Sequence, residues 1–135
     1  PKSLVTKNVT QDVFGNQRTK ENLYMNGPEV MAFSLKEVPK AVEALLDKTS
    51  MKIPDIDLFI FHQANSFMVK ALRNKLNIPH EKSPILIEKT GNTVASTIPF
   101  VINQLSVGDN RSHERNMMLV GFGVGYSWAA CLVKC

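Results

Sequence analysis

The run Leu58-Phe59-Ile60-Phe61 constrains this chain more than any other stretch. Successive side chains of a strand point to opposite faces, so four consecutive apolar residues need cover on both. That requirement suits a parallel sheet sandwiched between helices, and the flanking residues supply the helices. Met31, Leu35, Val38, Val42 and Leu45 recur at steps of three and four, the stripe of an amphipathic helix. Asn26-Gly27-Pro28-Glu29 reads as its start, with Pro28 at the first helical position. Pro39 lies inside the stripe; it removes an amide donor and crowds the Leu35 carbonyl, which predicts a kink or two abutting helices.

A second helix is expected from Ser66 to Leu76, with Val69, Leu72 and Leu76 inward and Asn77-Ile78-Pro79 as its stop. PILIEK, residues 84–89, reads as the next strand. Thr90-Gly91-Asn92-Thr93 then turns into a third helix that contains Pro99, directs Val94, Ile98, Val101, Ile102 and Leu105 inward, and ends before Gly108. NMMLVGF and YSWAACLVK are strands joined by a turn at Gly123-Val124-Gly125. Residues 1–22 read as a loop-rich segment with a turn at Gly15-Asn16, followed by a short strand at Leu23–Met25. Residues 23–135 then form one unit in the order α-β-α-β-α-β-β. The fold class is α/β: a mostly parallel sheet with helices on its faces and an antiparallel C-terminal hairpin.

The totals narrow the function classes. With 44% apolar residues in 135, the chain can bury a core. The net charge of +4 comes from scattered Lys and Arg without a basic block, which argues against a nucleic-acid surface. No apolar run reaches membrane-spanning length, and PKSLVTKNV lacks a signal-peptide core, so a cytoplasmic protein is expected. His62, His80 and His113 are far apart and no Cys/His cluster has ligand spacing, so no metal site is expected. Cys131 and Cys135 would lie on one strand face, about 13 Å apart. A disulfide needs Cα atoms within about 7 Å, so a buried cysteine and a free terminal one are expected.

Chemistry-bearing residues gather after the strands. His62 and Asn65 follow LFIF, and Gly91, Asn92 and Thr93 follow PILIEK. In a parallel sheet, ligands collect at the carboxyl ends of strands, so an imidazole and a carboxamide would share one edge. Taken singly, His62 is a core histidine bonded to a backbone carbonyl and Asn92 a helix N-cap. Taken together they outline a site. GFGVG, residues 121–125, resembles a dinucleotide fingerprint, but too few residues follow for the helix that motif requires. A tight hairpin turn is the plain reading; the functional one is a backbone amide aimed at an oxyanion.

HQAN after an apolar strand, then GNT, then GFGVGYSW, in that order, resembles the C-terminal half of the beta-ketoacyl-acyl-carrier-protein synthase III family; MNGPEVMAFSLKEVP resembles that family's helix start. The resemblance covers roughly residues 24–135. It implies a thiolase-like fold and a decarboxylative Claisen condensation of an acyl-coenzyme A starter with malonyl-carrier protein, the first step of fatty acid biosynthesis. It also implies a working Cys-His-Asn trio, with His62 and Asn92 as its His and Asn. Asn65 would support His62 or the pantetheine arm. The Val124 amide would face the acyl oxyanion. Gly27, Val30, Met31, Ala64 and Phe122 would line the pantetheine tunnel, and Lys70, Arg73 and Lys75 would dock the acidic carrier protein. No resident cofactor is implied, because coenzyme A and phosphopantetheine thioesters are substrates. Partners would be acyl carrier protein, acyl-coenzyme A, a missing N-terminal half and, in the full-length form, a second copy. The family's nucleophile lies in that missing half, so this chain alone is expected to be inactive. A Cys-His-Asn hydrolase fragment and a non-catalytic carrier-protein or coenzyme A-binding module remain as alternatives.

Overall fold

The computed structural model describes residue 15 and residues 25–106, 114–123 and 125–135. The loop expected over 1–22, apart from Gly15, and the strand expected at 23–24 lie outside the described residues, as do Gly108 and Val124. Met25 itself is not in a strand.

Helix α1 spans Gly27–Thr49. The Asn26 side chain caps it by accepting from the Glu29 amide at 3.3 Å, with Pro28 and Glu29 in the first turn. Pro39 neither ends nor divides it. Val38 and Val42, on either side, are completely buried, and that packing holds the helix together despite the lost amide. Strand β1, Leu58–Phe61, leads into α2, Ser66–Lys75, capped by Asn65, whose side chain accepts from the Met68 amide at 2.7 Å. Val69 and Leu72 are fully buried and Leu76 nearly so; Asn77 then takes the left-handed conformation that asparagine tolerates. A helical turn α3, Ile87–Thr90, precedes α4, Thr97–Ser106. Strands β2, Asn116–Gly123, and β3, Ser127–Lys134, close the chain.

The strand order is β1-β2-β3; β1 and β2 are parallel, β2 and β3 antiparallel. Alternation divides the side chains between two layers. Phe59 and Phe61, with Met118, Val120 and Phe122, pack against Val38, Val42, Val69 and Leu72 of α1 and α2. Ile60 and Met117 face Val101 of α4 on the other side. Both faces of β1 are thus covered, as its sequence demands. Asp57 fixes the register: its amide donates to the Asn116 carbonyl and its carboxylate accepts from the Asn116 amide.

Three further expectations about the fold need correction. PILIEK is not a strand: residues 84–86 are irregular and Ile87–Thr90 is helical. A buried side chain takes the place of ladder bonds there. Gln63, 2% exposed, donates to the Phe61 carbonyl at 2.9 Å and, at 3.4 Å, to that of Pro84, and accepts from the Leu86 amide at 3.1 Å. Val94 does not point inward but is 70% exposed. Cys131 is exposed too, because the α4 layer has no member from β3. Pro99 costs α4 little, since it lies in the first turn, where amides have no helical partner.

Replacing Gln63 by Leu should leave the Leu86 amide and two carbonyls without these bonds. Urea unfolding should report a loss of about 1–3 kcal/mol; an unchanged midpoint would mean that the 84–86 segment is held by other contacts.

Candidate functional site

Two stretches of backbone bring the expected pair together. The β1–β2 ladder continues one residue past β1: the His62 amide donates to the Val120 carbonyl at 2.8 Å, which sets the imidazole at the carboxyl edge of the sheet. Asn92 arrives from the other side. Gly91 precedes it at φ 66°, ψ −169°, a conformation almost restricted to glycine. Its amide bonds the Ile87 carbonyl at 2.7 Å, closing α3 and turning the chain. Two residues beyond Asn92, Val94 has φ 54°, a costly value for a β-branched residue.

His62 and Asn92 line one cavity of about 600 Å³. Of the other expected residues, Gly27, Val30, Ala64, Asn65 and Phe122 line it as well. Met31 does not; one step round α1 from Val30, it packs against the core. Asn65 makes no side-chain bond to His62; its carboxamide oxygen caps α2. Lys70, Arg73 and Lys75 lie on α2 outside the cavity, and Val124 lies outside the described residues.

Each of the two principal side chains has one end fixed. The Asn92 Oδ1 accepts from the Val94 amide at 2.9 Å. An amide N–H can only be met by the carboxamide oxygen, so the NH₂ group is the end left over. His62 Nδ1 lies 2.6 Å from Thr97 Oγ1, not against a backbone carbonyl, and Nε2 bonds to no described residue. The Phe122 ring meets the imidazole edge-on, with centroids 5.4 Å apart. Burial lowers the His62 pKa below its ordinary 6.5, so the ring is neutral at neutral pH.

Sequence reasoning missed Thr97 and Trp128. Thr97 reads as an ordinary first-turn residue, though its place five after Asn92 could have raised the question. Trp128 was visible within GFGVGYSW. It lines the cavity, 44% exposed, and meets the Phe33 ring edge-on at 5.2 Å. Phe33 also packs on Tyr126 at 4.8 Å, and Tyr126 donates to Glu29 at 3.2 Å, so α1 clasps the end of the hairpin. Neither Cys131 nor Cys135 lines the cavity, so no cysteine among the described residues joins His62 and Asn92. No group of three or more His, Cys, Asp or Glu among the described residues has a metal-binding arrangement, and no helix among them is long and apolar enough to cross a membrane.

An NMR titration should place the His62 midpoint below 6.5. The unfolded chain then binds the proton more readily. This histidine's contribution to stability is therefore intact above the unfolded value and declines as pH falls through 6.5 toward the folded one. A His62→Gln variant should lack that component; a midpoint above 6.5 would refute it.

A family model described as "3-Oxoacyl-[acyl-carrier-protein (ACP)] synthase III C terminal" matches residues 46–135. The beta-ketoacyl-[acyl-carrier-protein] synthase III of Prochlorococcus marinus (strain MIT 9301) is 40% identical over 113 residues, covering 83% of this chain and 33% of that protein. That of Pyropia yezoensis is 31% identical over 135 residues, 97% of this chain and 42% of its own length. A crystal structure of a 3-oxoacyl-(acyl-carrier-protein) synthase III superposes with a TM-score of 0.87 at 50% identity, covering 98% of this chain and 40% of the other. The Thermus thermophilus enzyme superposes at 0.77 with 32% identity, over 93% of this chain and 39% of its own. The chain thus spans between 33% and 42% of the length of these relatives. The matched span takes in HQAN, GNT and the whole hairpin, on a thiolase-like fold, and the chain belongs to the 3-oxoacyl-[acyl-carrier-protein] synthase III family, to whose C-terminal part it corresponds.

Proposed function

We propose that this chain supplies the His-Asn half of the active site of a condensing enzyme. That enzyme joins an acyl group from acyl-coenzyme A to malonyl-carrier protein with loss of carbon dioxide. The observation that carries the reading is that His62 and Asn92 line one cavity, each with its far end fixed by a hydrogen bond. Decarboxylation breaks the bond between the malonyl carboxyl and the adjacent carbon. Carbon dioxide leaves and the electron pair spreads onto the thioester oxygen. Two fixed neutral N–H donors stabilise that oxygen without themselves transferring a proton, and such donors are usually worth about 2.7–4 kcal/mol each. The enolate carbon then attacks the acyl thioester carbonyl, and the acyl-bearing thiolate departs. In this reading the acyl-bearing cysteine comes from a part of the enzyme outside this chain, since neither cysteine here lines the cavity. The apolar wall from Val30 to Phe122 suits a pantetheine arm, and the substrates need no resident cofactor.

The carrier protein docks on α2 in this reading. The helix begins at the cavity wall with Asn65, presents Phe67 at 69% exposure, and carries Lys70 and Arg73 three residues apart. An acidic partner would meet an apolar contact first and two cations beyond it.

In the complete synthase, His62→Ala and Asn92→Ala should each slow carbon dioxide release from malonyl-carrier protein by about 10²–10³. Acylation of the enzyme by acyl-coenzyme A should largely survive. Release near the parent rate in either variant would remove that residue from the reaction. The double change Lys70→Glu, Arg73→Glu should raise KM for malonyl-carrier protein and leave acylation nearly unaltered. The parent KM should itself rise with salt, since exposed charges are screened within about 8 Å at physiological ionic strength. Equal losses with both substrates would return α2 to a solvated surface.

A further inference from the structure

The residue that shapes the imidazole's chemistry is Thr97. Its hydroxyl is buried, with the residue 2% exposed, at the first position of α4. It lies 2.6 Å from His62 Nδ1 and 3.1 Å from the Val94 carbonyl oxygen. A hydroxyl has one proton, so it cannot donate to both. If the proton goes to the Val94 carbonyl, Nδ1 must carry a hydrogen to reach Thr97. The neutral ring then shows only a lone pair at Nε2. If the proton goes to Nδ1, the ring's own hydrogen sits on Nε2.

Two observations decide between these states. The Val94 carbonyl already accepts the Thr97 backbone amide, so it is not left bare when the hydroxyl turns away. The 2.6 Å separation is shorter than the usual range of about 2.7–3.2 Å for an N–H donor to oxygen, so a ring N–H pointing at the hydroxyl fits it less well. We infer that the Thr97 hydroxyl donates to Nδ1 of His62 and so fixes the proton of the neutral ring on Nε2, the nitrogen left for a ligand in the cavity. Thr97 is therefore a positioning residue. Phe122, edge-on at 5.4 Å, limits rotation of the ring from another side. The lowered pKa of His62 agrees with a ring that stays neutral and shows one N–H rather than two.

The assignment deepens the proposed reaction and rests on it for its catalytic meaning. A donor at Nε2 is what the enolate oxygen requires. It also matches Asn92, whose free end is set as a donor by the Val94 amide.

The test uses the complete synthase with ¹⁵N-labelled histidine at about pH 8, where the ring is neutral. Long-range proton–nitrogen correlation should show a hydrogen on Nε2 of His62 and a bare Nδ1. In Thr97→Val, the same shape without the hydroxyl, that preference should weaken and decarboxylation should fall about 10–100-fold, the usual worth of a partner that orients a metal-bound imidazole. Thr97→Ser should recover both signals. A hydrogen on Nδ1 in the parent would overturn the inference. So would a Thr97→Val variant with the parent tautomer, whatever its rate, because Thr97 would then act only by packing. A parent-like rate in His62→Ala strikes elsewhere: it removes the proposed reaction, while the spectrum still decides the tautomer.

Discussion

The parallel pairing of β1 with β2 is the interaction on which the rest of the structure depends. It joins Leu58–Phe61 to Met117–Val120 between two helical layers, with Phe59, Ile60, Phe61 and Met118 completely inaccessible to water. Each such side chain stabilises the fold by about 1.5–3 kcal/mol relative to exposure. Because the pairing runs on into the His62–Val120 bond, the same interaction that builds the core also sets the position of the imidazole. Sliding β1 by one residue would exchange its two faces and carry His62 to the wrong one. The Asp57–Asn116 bonds at the opposite end oppose that slip.

Where β1 stops, side chains take over from the backbone. In HQAN each residue has a different task. His62 turns to the cavity. Gln63 is buried and holds the segment that leads to α3. Ala64 lines the cavity with little bulk, and Asn65 caps α2. The motif is thus a strand end, a clamp and a helix start in four residues, and its first member brings an imidazole to the cavity. Asn92 follows the same economy: its oxygen is spent on the Val94 amide, and its NH₂ group is the end left over.

This division explains what was legible in the sequence. Periodicity found α1, β1, α2, β2 and β3, because their burial follows from regular backbone geometry, and the order of HQAN, GNT and GFGVGYSW pointed to the family and, with MNGPEV, to seven of the eighteen residues that line the cavity. It failed where a single side chain replaces a ladder: PILIEK has the composition of a strand, but Gln63 from twenty-one residues earlier occupies its polar groups. Val94 was assigned inward because helical phase was extended back across 94–96, a 3₁₀ turn whose side chains follow a different period. Met31 was placed in the cavity by likeness, whereas its position on α1 gives it to the core. Thr97 had no signal beyond its place five after Asn92, since its partner lies thirty-five residues away and is met only after folding.

The backbone around Asn92 shows what it costs to place a carboxamide here. Gly91 occupies a region that other residues rarely enter, and Val94 is held in a left-handed conformation, a strain of order 1–3 kcal/mol for such a residue. No apolar burial offsets it locally, for residues 91–96 are all exposed. The compensation comes from both ends. The Gln63 clamp precedes the segment, while the Val94 amide on Asn92 and the start of α4 at Thr97 follow it. Val94 is the hinge of that arrangement. Its amide orients Asn92, and its carbonyl accepts the Thr97 amide and lies 3.1 Å from the Thr97 hydroxyl that meets His62. One strained residue on the cavity wall therefore holds both side chains, Asn92 through its amide and Thr97 through its carbonyl. A relaxed backbone at that point would have to orient them separately.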